Sequence, residues 1–118
     1  MIDRRTRGLL ADMLENAKLA VAFVSPHDRS SFAGEIGAFY SAIRAAEIVG
    51  EAASQINASD RDSIKGVPWR EAINMRNKLI HGYKTVRPEI LHDTIKTDFP
   101  ALIETLERIL NESPTNGR

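Results

Sequence analysis

From Thr6 to Ser25 the apolar residues Leu10, Met13, Leu14, Ala17, Val21 and Val24 recur at steps of three and four, which predicts an amphipathic helix that Pro26 stops. The turn-rich stretch Pro26-His27-Asp28-Arg29-Ser30-Ser31 follows, with Ser30 or Ser31 as cap of a second helix from Ser31 to Ile56. At ~1.5 Å per residue that helix would be about 40 Å long. Tyr40, Arg44, Glu47, Glu51 and Gln55 share its polar stripe, whereas Ile36, Phe39, Ile43, Ala46, Val49 and Ala53 belong to an apolar arc too wide for one neighbour. The polar cluster Asn57 to Val67 predicts a long loop with a short helical turn near Asp60 to Lys65. Pro68 opens a third helix through Ala72, Ile73, Met75, Leu79 and Ile80, and Gly82 supplies a left-handed stop. Pro88 opens a fourth. Asp98 or Thr97 caps a fifth, unless Pro100 merely kinks one continuous helix. No segment alternates with period two for the length of a strand, so the expected fold is all-α, an up-and-down bundle of four to five helices. Trp69, Met13, Met75 and Phe39 are expected in the core, Tyr40 in a packed or interfacial position, and the tail after Asn111 frayed.

Composition narrows the function classes. The chain has 118 residues, the size of one domain, and 42% hydrophobic with 27% charged residues describes a chain that folds. Sixteen basic side chains balance sixteen acidic ones, so there is no global positive field of the kind a strong duplex binder carries. Any attraction for phosphate must be local. Gly66 to Arg87 holds Arg70, Arg76, Lys78, Lys84 and Arg87 against Glu71 alone, and the sign reverses in the helices after it. Cysteine is absent, which excludes disulfides, thiolate metal sites and a thiol nucleophile and accords with a reducing compartment. No apolar run approaches a membrane span or a signal-peptide core, so the expected location is cytoplasmic, without membrane association. His27 and His92 fit no metal-ligand spacing, and no metal or cofactor is expected.

Chemistry concentrates in Met75-Arg76-Asn77-Lys78-Leu79-Ile80-His81-Gly82-Tyr83. Arg76 offers a fixed charge on a planar fork of donors suited to phosphate oxygens. His81 offers an imidazole, which exchanges protons near neutral pH. On a straight helix the two would point about 140° apart, so they converge only where the helix unwinds, as Gly82 permits. Such residues also have a plainer reading: Arg76 pairs with Glu47 or Glu51 on the long helix, and His81 satisfies the last carbonyls of its own helix. The residues alone leave both readings open.

Arg76, His81 and Tyr83 fit the pattern R-x4-H-x-Y of the HEPN superfamily, and the segment resembles its HepT-like group, formerly DUF86. The likeness extends over Phe32 to Leu110: Ala45 to Ala53 resembles the group's long helix, Val67-Pro68-Trp69 with Met75-Arg76-Asn77 its third helix, and Asp98-Phe99-Pro100-Ala101-Leu102 the entry to its last. The resemblance implies one HepT-like HEPN domain over residues 1–112, with 113–118 as a flexible tail. It also implies a metal-independent endoribonuclease working as a homodimer whose two motifs meet in one cleft. In that reading Arg76 and His81 are catalytic, Asn77 and Lys78 position RNA, and Glu47, Glu51 and Gly82 support the motif helix. The implied setting is a toxin–antitoxin pair in which an MNT-type nucleotidyltransferase antitoxin adenylylates Tyr83. The departure is Lys84-Thr85-Val86-Arg87, which replaces the aromatic and acidic residues usual after the tyrosine. The alternative is a non-catalytic helical dimer that binds a nucleotide or its partner protein.

Overall fold

The structure is a computed structural model and describes residues 2–81 and 83–112, with Tyr83 described in its backbone only. Among these residues six α-helices occur: α1 (Arg4–Val24), α2 (Arg29–Gly34), α3 (Ile36–Gln55), α4 (Ala58–Ser63), α5 (Trp69–Leu79) and α6 (Pro88–Glu112), with a 3-10 turn at Tyr83–Thr85. The four longer helices make the all-α up-and-down bundle. α1 packs on α3 and α6, and α3 in turn carries α5. Fully buried Leu10, Met13, Val49, Ile95 and Leu106 join α1, α3 and α6 in one core. No helix among the described residues is long and apolar enough to cross a membrane.

Local chemistry explains the helix ends. Asp3 caps α1 by accepting the Thr6 N–H at 2.7 Å, and Asn57 caps α4 by accepting the Asp60 N–H at 2.9 Å. α4 is the helical turn expected inside the long loop, and the Thr6 hydroxyl ties it to α1 by donating to Asp60 at 2.8 Å.

Several expectations change. The continuous helix from Ser31 to Ile56 is divided at Glu35, whose φ of −106° and ψ of 89° leave the helical region. The cap of the first piece is Asp28, which accepts the Ser31 N–H at 2.8 Å, rather than Ser30 or Ser31. The break lets Phe32 swing fully into the core and meet Phe39 edge-on at 5.9 Å, which one straight rod would not allow. Conversely, Pro100 lies inside one unbroken α6 with no new cap at Thr97 or Asp98. Ile95, Phe99, Leu102, Leu106 and Ile109 stay on one buried stripe across it, and the carbonyl that proline leaves unpaired belongs to exposed Lys96. Burial of that stripe outweighs the lost hydrogen bond. Trp69 is half-buried rather than core, with its indole N–H donating to the Ile64 carbonyl at 3.3 Å. Met75 is also half-buried, while Met13 and Phe39 are core as expected.

Candidate functional site

The site is assembled where α5 crosses α3. A Cβ on Gly50 would stand 2.2 Å from the Arg76 Cβ and 2.6 Å from the Ala72 carbonyl oxygen, so α5 rests on α3 at a distance only glycine tolerates. That contact fixes the height of Arg76 along the bundle. Gly50 was not singled out among the candidate residues. Its signal in the sequence is a glycine inside a helix flanked by Ala45, Ala46, Ala52 and Ala53, where only close packing offsets its poor helix propensity.

Arg76 is half-buried in the last turns of α5, and its Nη1 donates to Asn77 Oδ1 at 3.0 Å. Its Nε is buried without a hydrogen-bond partner. No carboxylate among the described residues pairs with Arg76, so its charge is uncompensated. Glu47 and Glu51 instead pair with Arg44 on their own helix, at 3.4 and 3.8 Å. Neither acid makes a hydrogen bond or ion pair to α5 among the described residues. The anchoring contact is the packing at Gly50.

Ile80 keeps right-handed helical dihedrals (φ −66°, ψ −16°) and donates its N–H to the Arg76 carbonyl at 3.0 Å; the His81 N–H follows to Lys78 O at 3.4 Å. The helix has thus not unwound before His81. Arg76 and His81 share one end of α5 and leave its axis about 140° apart by helical geometry. Asn77, Lys78 and His81 are exposed, and the His81 ring has no hydrogen bond or ion pair among the described residues. Gly82 and the Tyr83 side chain, expected as the hinge and the modification site, lie outside the described residues, as does the 113–118 tail.

Beyond α5, sparse backbone contact between α5 and α6 leaves open space. One groove of about 480 Å³ is lined by Val49, Ala72, Met75, Phe99 and Leu102; a second of about 510 Å³ lies nearer the motif, between α5, the 3-10 turn and the start of α6.

A different histidine does another job. His92 is buried, its Nε2–H donates to the His27 carbonyl at 2.8 Å, and its Nδ1 lies 3.2 Å from Asp93, which also pairs with Arg29 at 3.1 Å. His27 and His92, unrelated by spacing, are neighbours in space, yet it is the backbone of His27 that takes part.

The family model described as Ribonuclease HepT-like matches residues 13–109. A Methanocaldococcus jannaschii protein named "Putative RNase MJ1380" is 35% identical over 91% of this chain and 98% of its own. The "Probable ribonuclease HepT" of Thermococcus cleftensis is 33% identical over 90% of this chain and 96% of its own. No solved structure matches significantly. With a bundle of the expected architecture and a family match across most of its length, the chain belongs to the Ribonuclease HepT-like family.

Proposed function

We propose that this protein is a metal-independent endoribonuclease that cuts RNA by transesterification. The observation that carries the reading is the presence, in the last turns of α5 and just past them, of Arg76 and an exposed His81, neither with a carboxylate partner among the described residues. His81 removes the proton from a ribose 2′-OH, and the resulting oxygen attacks phosphorus. The bond to the 5′-oxygen breaks, leaving a 2′,3′-cyclic phosphate, and that oxygen takes up a proton. Arg76 stabilises the negative charge gathering on the phosphoryl oxygens, with Asn77 holding its Nη1 and Lys78 meeting a neighbouring phosphate.

One subunit sets Arg76 and His81 on different sides of the α5 axis, which favours a site shared by two. In the homodimer the second His81 supplies the proton to the leaving group. Ile36, Tyr40, Ile80 and Ile90 are exposed large apolar side chains that suit burial against the second copy. In this reading the enzyme is the toxin of a toxin–antitoxin pair. An MNT-type nucleotidyltransferase silences it by transferring AMP from ATP to the Tyr83 oxygen, with pyrophosphate leaving.

The test is single-stranded RNA with wild type, His81→Ala and Arg76→Ala, each with EDTA. Wild type is expected to yield cyclic-phosphate ends that both variants fail to produce. Identical product patterns from all three would overturn the nuclease reading, and RNA binding without turnover would place the protein in the non-catalytic alternative. Incubation with a nucleotidyltransferase and ATP is expected to add AMP to wild type and not to Tyr83→Phe; equal labelling of both would remove Tyr83 from the proposal.

A further inference from the structure

Resting on the ribonuclease reading, we propose that the groove between α5, the 3-10 turn and the start of α6 is a nucleotide subsite. It would hold one unpaired nucleotide of the RNA strand beside the scissile linkage. Arg87 is its main phosphate-binding residue, and Lys78, which lines the same groove, is the second cation.

The groove measures about 510 Å³, within the ordinary range for a small-molecule site. Its floor is apolar: Met75 and Leu79 come from α5, Val86 from the connection, and Ile90 and Leu91 from α6. Leu79 and Leu91 are buried, whereas Ile90 is 54% exposed. Lys78 and Arg87 both line the groove at exposed positions, and neither has a carboxylate partner among the described residues. Among the described lining residues the only acid is Glu71, two turns before Lys78 on α5 and about 10 Å from it by helical rise.

A recess with cations at its mouth and an aliphatic floor matches a nucleotide, whose phosphate is charged and whose base has an apolar face. A paired base cannot turn its face into such a recess, so the site selects single-stranded RNA. Lys78 lies on the same short helix as Arg76, which places the groove next to the proposed reacting groups. Arg87 closes the basic segment Lys84-Thr85-Val86-Arg87, which joins the 3-10 turn to the start of α6.

The experiment measures binding of a labelled single-stranded 2′-O-methyl RNA oligonucleotide, which lacks the attacking hydroxyl and cannot be cut by transesterification, over a series of salt concentrations. Arg87→Gln is expected to weaken binding roughly threefold to tenfold and to reduce the slope of log Kd against log salt by about 0.7, the loss of one single-strand phosphate contact. Asn74→Trp, at an exposed position on the groove wall, fills the recess without removing a cation. It is expected to weaken binding with the slope unchanged. Lys65→Gln, exposed and outside this groove, is the control and should bind as wild type. Circular dichroism confirms that each variant is folded.

Wild-type affinity and slope in both Arg87→Gln and Asn74→Trp would overturn the subsite, as would failure of wild type to bind the oligonucleotide. The two proposals separate cleanly. If cleavage of unmodified RNA is seen while both groove variants bind normally, only the subsite falls. If the groove variants lose affinity as expected but wild type cuts nothing, the subsite stands and the nuclease reading falls.

Discussion

His81 and His92 lie close together in the chain and carry the same ring, yet their surroundings assign them opposite work. His92 is 2% exposed, stacks near Phe32 with ring centroids 5.7 Å apart, and has both nitrogens facing acceptors, the His27 carbonyl and Asp93. It clasps the turn after α1 to the first turns of α6. His81 is exposed just past the last turn of α5, with no partner for its ring among the described residues. A histidine whose hydrogen-bonding capacity is consumed inside a core holds elements together, and one left facing solvent keeps its ring nitrogens open to a substrate, as the proposed mechanism requires. The partners of a side chain, more than its type, decide which.

The strongest way to break that contrast is to exchange the consequences of removing each ring. His81→Ala and Arg76→Ala should each lower RNA cleavage by about 10²-fold or more, with thermal unfolding almost unmoved for the exposed histidine. A kinetic assay beside a melting curve checks both halves, and a large fall in stability without loss of turnover would reverse the assignment.

Gly50→Ala should come next in size. The added methyl group collides with Arg76 Cβ and the Ala72 carbonyl, so it should cost about 1–3 kcal/mol in stability. It should also depress cleavage in the molecules that remain folded, since Arg76 moves with α5. Chemical denaturation and turnover per folded molecule separate these effects; unchanged stability would show that α3 and α5 separate freely at this crossing.

His92→Phe keeps an aromatic ring against Phe32 and removes the donor to His27. It should destabilise by about 1–3 kcal/mol, the cost of leaving that carbonyl unsatisfied, and leave cleavage by the folded fraction intact. Loss of turnover without loss of stability would put His92, not His81, at the chemistry.

The smallest effect concerns the far end of α1. Asp3 holds its carboxyl below the usual range, chiefly because the carboxylate accepts the Thr6 N–H, with the Thr6 side chain and the nearby Arg5 charge assisting against a small opposing contribution from burial. A lowered folded-state value means its contribution is fully present above the unfolded carboxylate range and is lost as pH falls through the lowered value. Asp3→Asn, which can still cap, should flatten slightly the decline of thermal stability toward acid pH and leave cleavage alone. Identical acid profiles for variant and wild type would remove Asp3 from that decline.

Much of the bundle was legible because its signals are local. The apolar stripes of α1 and α6, the polar cluster that became α4, and the opening of α5 near Pro68 are all written within a few turns of chain. The interruption at Glu35 was not, because it answers the demand of Phe32 and Phe39 for a common pocket. Pro100 resisted reading for a related reason: its local effect favours a break, and the stripe packed on α1 overrides it. Within the motif, Arg76 and His81 stood out by residue type and spacing. That Glu47 and Glu51 would be taken by Arg44, leaving Arg76 without a carboxylate, depended on how two helices meet.

The order of residues alone determined the helical class, the position of the basic segment and the family to which the chain belongs, since periodicity and motif spacing are properties of neighbours along the chain. Only the folded arrangement decided that Gly50 seats α5 on α3, that His92 is spoken for by the backbone of His27, and that α5 and α6 part to leave a cation-rimmed groove. Those outcomes depend on which distant atoms come within a few ångströms, and contact at that range is set by the packing of whole helices.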